Sequence, residues 1–205
     1  PIKYVLKCFC NLLQYFEKMN IISAIEKSGT VERFVHTSST AAIRPEEWED
    51  GEVLTTETFA KDATLEQNPY GLAKYSAEMV VRDWHKQKND VKKPRMVTIH
   101  PCMVFGPPLS PRHLRGSLSI IMMLVNRELP VLLPMQISIV DVRDVAEAHV
   151  RALTMGEDGG RYLTVAGEMM WSDISKILKN QTTYKSKLFN SLKNLYFFQT
   201  VVGRH

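Results

Sequence analysis

The sequence predicts an α/β fold in which a parallel β-sheet is flanked by helices. Short runs of β-forming residues alternate along the chain with segments of helical period, and helices of this length serve as the crossovers that parallel strands require. One such run ends in hydroxyl side chains and another in a proline-rich segment. Ligands bind these sheets at the carboxyl ends of the strands, so both segments are expected to line one crevice.

Size and composition are those of a globular domain with an ordinary core. The chain has 205 residues, of which 44% are hydrophobic and 23% are charged. The formal net charge of +4 without a recognised binding motif indicates a solvated basic face and no nucleic-acid partner. The apolar stretch 4–16 is interrupted by Lys7 and Gln14 and is too short for a membrane span, so we interpret it as a buried or partner-facing helix, with a membrane anchor as the alternative.

The cysteines indicate a reducing compartment. Cys8, Cys10 and Cys102 are odd in number, show no C-x-x-C spacing and have no matching set of histidines. This pattern supports neither a disulfide framework nor a metal site. We therefore expect a cytoplasmic protein without a bound metal.

The first third of the chain predicts a helix, a strand and a loop. Residues 5–27 have helical period as one or two helices, and Gly29 follows at the place where glycine often ends a helix. Residues 33–39 are rich in β-formers and end in hydroxyls, which is typical of a buried strand. The acidic span 44–67 predicts a surface loop with a short helical turn near residues 46–48.

The stretch that begins at Asn68 predicts a well-marked helix start. Asn68 can accept a backbone N–H as the N-cap, and Pro69 fits the first helical position. The residues that follow keep helical period to about Trp84. Tyr70 and Lys74 are four residues apart, so one helical turn places the phenol and the ammonium on the same face.

The second half of the chain continues the alternation. Strands are predicted over residues 96–100, 136–140 and 161–165, a turn-rich loop over 101–108, and helices over 116–126, from Asp141 or Asp144 through Leu153, and from Ser172 through Leu178. The basic amphipathic stretch 179–205 matches no pattern with an assigned role. It can pack as a helix, bind a partner or be an unselected tail.

Taken in order, these segments resemble the extended short-chain dehydrogenase/reductase superfamily, also called the NAD-dependent epimerase/dehydratase superfamily. The residues 31–39 are similar to its serine-bearing strand, and Tyr70 to Lys74 matches its tyrosine-x-x-x-lysine motif. Residues 100–107 resemble its nicotinamide loop and 140–149 its substrate-side segment. The branch with dihydroflavonol reductase, cinnamoyl-CoA reductase and 3β-hydroxysteroid dehydrogenase is the most similar.

The resemblance implies a catalytic set of Ser39, Tyr70 and Lys74. In carbonyl reduction a hydride reaches carbon while an acid must protonate oxygen, and a free tyrosine, with a pKa of roughly 10, is too weak an acid. A nearby ammonium stabilises the phenolate, which gives Lys74 a physical reason to be there. The hydroxyl of Ser39, with Ser38 as the alternative, would donate to the carbonyl oxygen.

The resemblance also implies a cofactor and the residues that contact it. The cofactor is NADP or NAD, with NADP slightly favoured, and its contacts are assigned to Tyr70, Lys74, Pro101, Val104 and Ser117. The other partner is a small-molecule carbonyl or alcohol, and the protein is a possible oligomer. No metal is implied.

The resemblance predicts a domain organisation that departs from the family at its start. Residues 1–178 would form an incomplete NAD(P)-binding, Rossmann-like domain with substrate-side segments near 101–135 and 160–178. The glycine-rich turn that receives a pyrophosphate is absent, so we expect that an N-terminal part is missing.

The alternatives to an NAD(P)-dependent carbonyl reductase are a nucleotide-sugar epimerase or dehydratase, a 3β-hydroxysteroid dehydrogenase, or a truncated, inactive remnant that acts as a binding module.

Overall fold

The computed structural model describes residues 17–47, 52–87, 93–126, 128 and 134–181. The chain divides into two compact units, one formed by Pro1–Pro101 with Ala148–Leu163 and the other by Cys102–Glu147 with Thr164–His205. The expectations for residues 5–16 and for nearly all of the tail fall outside the described residues.

The described residues alternate between strands and helices, as the sequence predicts. The helices are α1 (described over residues 17–28), α2 (Pro69–Lys86), α3 (Ser117–Val125), α4 (Val142–Ala152) and α5 (Trp171–Gln181). The strands are β1 (Arg33–Thr37), β2 (Arg95–Pro101), β3 (Met103–Phe105), β4 (Gln136–Asp141), β5 (Gly160–Thr164) and β6 (Gly167–Met170). The predicted α/β class is confirmed.

The sheet of the first unit has the strand order β1-β2-β5. β1 and β2 pair in parallel, in a register that runs from Arg33 opposite Arg95 to Thr37 opposite Ile99. All residues of β2 after Arg95 are buried. Burial on both faces is what a central strand of a parallel sheet requires, and it explains why the sequence of β2 shows no alternation of polar and apolar residues.

Helices cover both faces of this sheet. On one face, α1 and α2 pack on the strands through a cluster formed by Ile22, Ile25, Val81, Trp84 and Met96. The indole Nε1 of Trp84 donates to Glu26 Oε1 at 2.8 Å and joins the two helices. On the opposite face, Val97 and Ile99 pack with Ala152 at the end of α4.

The described part of the span 44–67 is irregular, as predicted, but it is not merely a surface loop. Ala60 is fully buried, and its N–H donates to the carbonyl of Ala42 at 2.9 Å. The helical turn expected near residues 46–48 is instead a bend in its described part, where the N–H groups of Glu46 and Glu47 donate to Asp62 Oδ2 at 2.9 and 3.0 Å. A single carboxylate therefore satisfies donors that a helical turn would have left unpaired.

The second unit contains a small mixed sheet of strand order β3-β4-β6. β3 and β4 pair in parallel, whereas β4 and β6 pair antiparallel. α3 and α5 supply the other side of its core, and the buried cluster consists of Phe105, Leu118, Ile121, Ile137, Ile139, Trp171 and Ile174. β3 lies within the segment that was expected to be a loop, and β6 was not predicted. α5 begins at Trp171, so Ser172 is not its cap.

Among the residues that the structure describes, none of the helices combines the length and the apolar character that crossing a membrane would need.

Gly106 provides a test of packing in the second unit. Its φ is +143°, and a Cβ at this position would lie 2.6 Å from Cγ1 of Val142. We expect Gly106→Ala to lower the free energy of unfolding by about 2 kcal/mol, because it adds overpacking to a backbone conformation that L-residues rarely adopt.

The matched control is Gly167→Ala, whose added Cβ would meet nothing within 4 Å. This variant should change the stability by less than about 0.5 kcal/mol. Urea unfolding of both variants measures the difference, and equal effects would contradict the packing argument.

Candidate active site

The start of α2 is built as the sequence predicts. Asn68 is the N-cap, and its Oδ1 accepts the N–H of Gly71 at 2.8 Å, while Pro69 occupies the first turn. A Cβ at Gly71 would lie 2.4 Å from Asn68 Nδ2, so a glycine at this position makes room for the cap. The cap fixes the first turn of the helix, which is the turn that carries Tyr70.

Tyr70 and Lys74 lie together on one face of α2. The Nζ atom of Lys74 is 5.8 Å from the centre of the Tyr70 ring. Tyr70 is 54% exposed, whereas Lys74 is only partly exposed. Burial lowers the pKa of the Lys74 ammonium, and the carboxylate of Glu17 opposes this shift. The arrangement places a cation beside a phenol that a small molecule can reach.

The two candidate serines have different surroundings. Ser38 is buried, and its hydroxyl donates to Glu78 Oε2 at 2.7 Å. Ser39 caps the 3-10 turn Thr40–Ala42, and its Oγ accepts the N–H of Ala41 at 3.2 Å. Accepting this bond leaves the hydroxyl proton of Ser39 for another acceptor. The 3-10 turn packs against α2, the helix that carries the phenol and the ammonium.

The remaining predicted cofactor contacts are divided between the two units. Pro101 ends β2, is buried, and its carbonyl accepts the hydroxyl of Thr40 at 3.4 Å, so it lies next to the 3-10 turn. Val104 pairs with Val140 in the sheet of the second unit. Ser117 is the first residue of α3, which packs on β3, the strand that contains Val104.

A buried carboxylate that the sequence analysis missed lies beneath this helix face. Glu78 is fully buried, and it accepts hydrogen bonds from Ser38 Oγ, His100 Nε2 and Arg161 Nε, each at 2.7 Å. Burial by itself raises the pKa of Glu78. The hydrogen bond and charge of His100, the charge of Arg161 and the hydroxyl of Ser38 outweigh burial and hold this pKa at about 2. An ionised carboxylate only accepts hydrogen bonds, so His100 donates through Nε2.

Arg161 connects this carboxylate to the loop after β1. Its guanidinium is nearly buried, donates Nη1 to the carbonyls of Thr56 and Thr58, and lies 3.9 Å from the centre of the Phe59 ring. A cation stacked on an aromatic face in a desolvated position is a favourable contact. The loop is thus held by the same side chain that neutralises Glu78.

The sequence carried a weak signal for this network. Glu78 falls on the apolar face of α2 together with Gly71, Ala77 and Val81, where a carboxylate is unexpected. Its partners lie 22 to 83 residues away along the chain, so the local sequence pattern around Glu78 does not identify them. His100, the first residue of the segment that resembles the nicotinamide loop, also belongs to this network.

The described residues contain no group of three or more histidine, cysteine, aspartate or glutamate side chains that could hold a metal ion.

The Glu78 network predicts an acid-dependent loss of stability. We expect Glu78→Gln to lower the free energy of unfolding at pH 7 by about 3 kcal/mol, because breaking a buried ion pair leaves its partners uncompensated. The pKa of Glu78 is lowered from 4.5 to about 2 on folding, so its contribution is present above pH 4.5 and is lost as the pH falls towards 2.

The difference in stability between the unmodified chain and Glu78→Gln should therefore shrink by about 2 kcal/mol between pH 7 and pH 3. Urea unfolding at both pH values measures it. Burial also lowers the pKa of His36 to about 3, and both proteins contain this residue, so taking the difference cancels the part of its contribution that burial causes. A difference that stays constant with pH would refute the ionised state of Glu78.

Sequence comparison identifies a protein family that this chain matches and individual relatives of the chain. The model of the NAD dependent epimerase/dehydratase family matches residues 17–165. An uncharacterized oxidoreductase of Saccharomyces cerevisiae is 35% identical over 174 residues, which cover 78% of this chain and 51% of that protein. Cinnamoyl-CoA reductase CAD2 of Medicago truncatula is 31% identical over 170 residues, which cover 78% of this chain and 49% of that protein.

Comparison of structures agrees with this result. The crystal structure of Gre2 from Candida albicans in complex with NADPH superposes with a TM-score of 0.65 at 27% identity, covering 86% of this chain and 54% of that one. The chain spans about half the length of the curated relatives that it matches. The resemblance predicted from the motifs is confirmed: this chain belongs to the NAD-dependent epimerase/dehydratase family.

Proposed function

We propose that this chain supplies the acid–base centre of an NAD(P)-dependent oxidoreductase that reduces a carbonyl or oxidises the corresponding alcohol. The observation that carries the proposal is the Lys74 ammonium, 5.8 Å from the Tyr70 ring on one helix face, next to the turn that bears Ser39. A phenol, a cation and a hydroxyl donor are the groups that proton transfer to a carbonyl oxygen needs.

In this proposal each side chain has one task. The hydroxyl of Ser39 donates to the substrate oxygen, where negative charge develops as carbon is reduced. Tyr70 transfers its phenolic proton to that oxygen, and its exposed position lets a substrate approach. Lys74 stabilises the phenolate that remains. In the direction of oxidation the same phenolate accepts the proton.

The donor set of α2 fits the nicotinamide-ribose half of a dinucleotide. The Lys74 ammonium has three N–H donors and Tyr70 one O–H, which suits the hydroxyls of a ribose. When bound, the cofactor supplies the hydride. Pro101, Val104 and Ser117 are the further residues that we propose contact it. We favour NADPH over NADH, a choice supported by the NADPH bound to the Candida albicans relative.

We propose a small-molecule carbonyl as the substrate class, which the name of the cinnamoyl-CoA reductase relative supports. We place the reaction in the cytoplasm. The sequence supports this by having too few cysteines for a disulfide framework, and Cys102 is a free thiol in the structure.

The first test of the proposal is cofactor binding followed by substitution of the acid. Titration of the purified chain with NADPH and NADH by calorimetry should show binding, with NADPH the tighter. Tyr70→Phe should lower the rate of carbonyl reduction by at least about 100-fold, because it removes the proton donor.

Tyr75→Phe is the matched control on the same helix, where the Tyr75 ring packs against Phe59 at 6.2 Å between centroids. It should keep its rate within about twofold, since no step of the proposed chemistry uses its hydroxyl. Failure to bind either cofactor at millimolar concentration would reject the enzyme proposal for this chain in favour of a binding module. Full activity of Tyr70→Phe would reject Tyr70 as the acid.

A second test addresses the dual role of Lys74. Lys74→Met should weaken NADPH binding about 10- to 100-fold, the effect of losing a charge-assisted hydrogen bond, and should also lower kcat. Lys86→Met, an exposed change in the last turn of the same helix, should alter neither. Unchanged NADPH affinity in Lys74→Met would separate Lys74 from the cofactor.

A further inference from the structure

The buried Glu78 lies on the same helix as the proposed acid and its lysine. It follows Lys74 by one helical turn and Tyr70 by two, so the three side chains lie along one side of α2. Its carboxylate accepts the hydroxyl of Ser38 at 2.7 Å, and Ser38 directly precedes Ser39. The helix of the acid is therefore hydrogen-bonded to the residue next to the proposed carbonyl donor.

We propose that Glu78 is a positioning residue that, through Ser38, fixes the Ser39 hydroxyl relative to Tyr70 and Lys74. This inference rests on the proposed function for its catalytic meaning. Its structural content, that the bond between Glu78 and Ser38 holds the turn after β1 in place, is independent of activity.

The turn after β1 is short, and the Glu78 bond adds to the other contacts that hold it. Ala42 and Ile43 are fully buried, and the carbonyl of Ala42 accepts the N–H of Ala60. Ser39 leaves the strand with extended backbone angles, and a 3-10 helix of only three residues follows. Short 3-10 helices have poor hydrogen-bond geometry. The N–H of Ser38 donates to the carbonyl of Ile99 at 2.8 Å, which ties the strand end to β2. In the described part of the chain, the strand end is connected to α2 by the side-chain hydrogen bond from Ser38 Oγ to Glu78.

Glu78 is itself held rigidly enough to serve as a reference point. Its Oε2 also accepts from His100 at 2.7 Å, and its Oε1 accepts from Arg161 at 2.7 Å. These donors come from β2 and β5, the two other strands of the same sheet. A fully buried carboxylate that accepts hydrogen bonds from three elements is restricted in its rotation, which is the condition for orienting a neighbouring functional group.

The geometry distinguishes the positioning role of Glu78 from the acid role of Tyr70. Tyr70 and Lys74 face each other within α2, so their contact does not depend on Ser38. The Ser39 hydroxyl reaches its position only through the turn. Loss of the Glu78 bond should therefore misplace the donor while leaving the phenol and ammonium paired, and a displacement of about 1 Å can lower a rate about 100-fold.

Amide hydrogen exchange in the full chain tests the structural part without any assay. In Ser38→Ala, the amides of Ala41, Ala42 and Ile43 should exchange at least about 10-fold faster relative to the amide of Leu72 in α2, because the turn opens independently of the helix. Ser38→Thr, which keeps the hydroxyl, should restore slow exchange. Unchanged relative exchange in Ser38→Ala would overturn the proposal.

Val81→Ala is the control for a purely structural loss. Val81 is fully buried on the same helix, one turn after Glu78, and it has no hydrogen bond to lose. This variant should speed exchange in the turn and in α2 together. Selective acceleration of the turn amides in Val81→Ala would show that general destabilisation explains the effect, which would also overturn the proposal.

Steady-state kinetics tests the catalytic part. Ser38→Ala should lower kcat at least about 10-fold, with the NADPH affinity and the pH profile unchanged, whereas folded Val81→Ala should keep its kcat. An unaltered kcat in Ser38→Ala would reject the positioning role even if exchange changes. If the unmodified chain shows no activity, the proposed function fails, and hydrogen exchange alone then decides whether Glu78 fixes the turn.

Discussion

The first unit of this chain depends on the burial of one carboxylate. Removing a charge from water is costly unless hydrogen bonds and opposite charge replace the solvent, and Glu78 meets that condition with donors from Ser38, His100 and Arg161. Each donor comes from a different strand or its end. The requirement to satisfy Glu78 therefore fixes where α2 lies relative to the sheet, and α2 carries the phenol and ammonium.

The elements that could be predicted from the sequence are those with local causes. The N-cap of Asn68 and the spacing of Tyr70 and Lys74 depend on residues within two helical turns, and the structure contains the predicted helix start. β2 could be predicted from its own β-forming residues. The short strands β3 and β6 were not, because strands of three or four residues exist only through their pairing with β4.

In the candidate site, too, the features that were not predicted depend on residues far apart in the sequence. The sequence left Ser38 and Ser39 as alternatives because the residue that distinguishes their surroundings, Glu78, lies 40 residues further on. The burial of Ala60 was missed because the loop packs through Arg161, which follows it by about 100 residues. Contacts of this kind follow from the tertiary structure, and local propensity does not identify the two partners.

The double engagement of Arg161 also bears on how the first unit opens. One guanidinium binds both the buried Glu78 and the carbonyls of Thr56 and Thr58. The loop can move away from the sheet only if Arg161 breaks its hydrogen bonds to these carbonyls or moves with the loop. In the second case the buried carboxylate of Glu78 loses its guanidinium partner, which is costly. Loop, strand and helix are thus thermodynamically linked as one cooperative segment, so fluctuations of this irregular region are limited by the stability of the sheet beneath it.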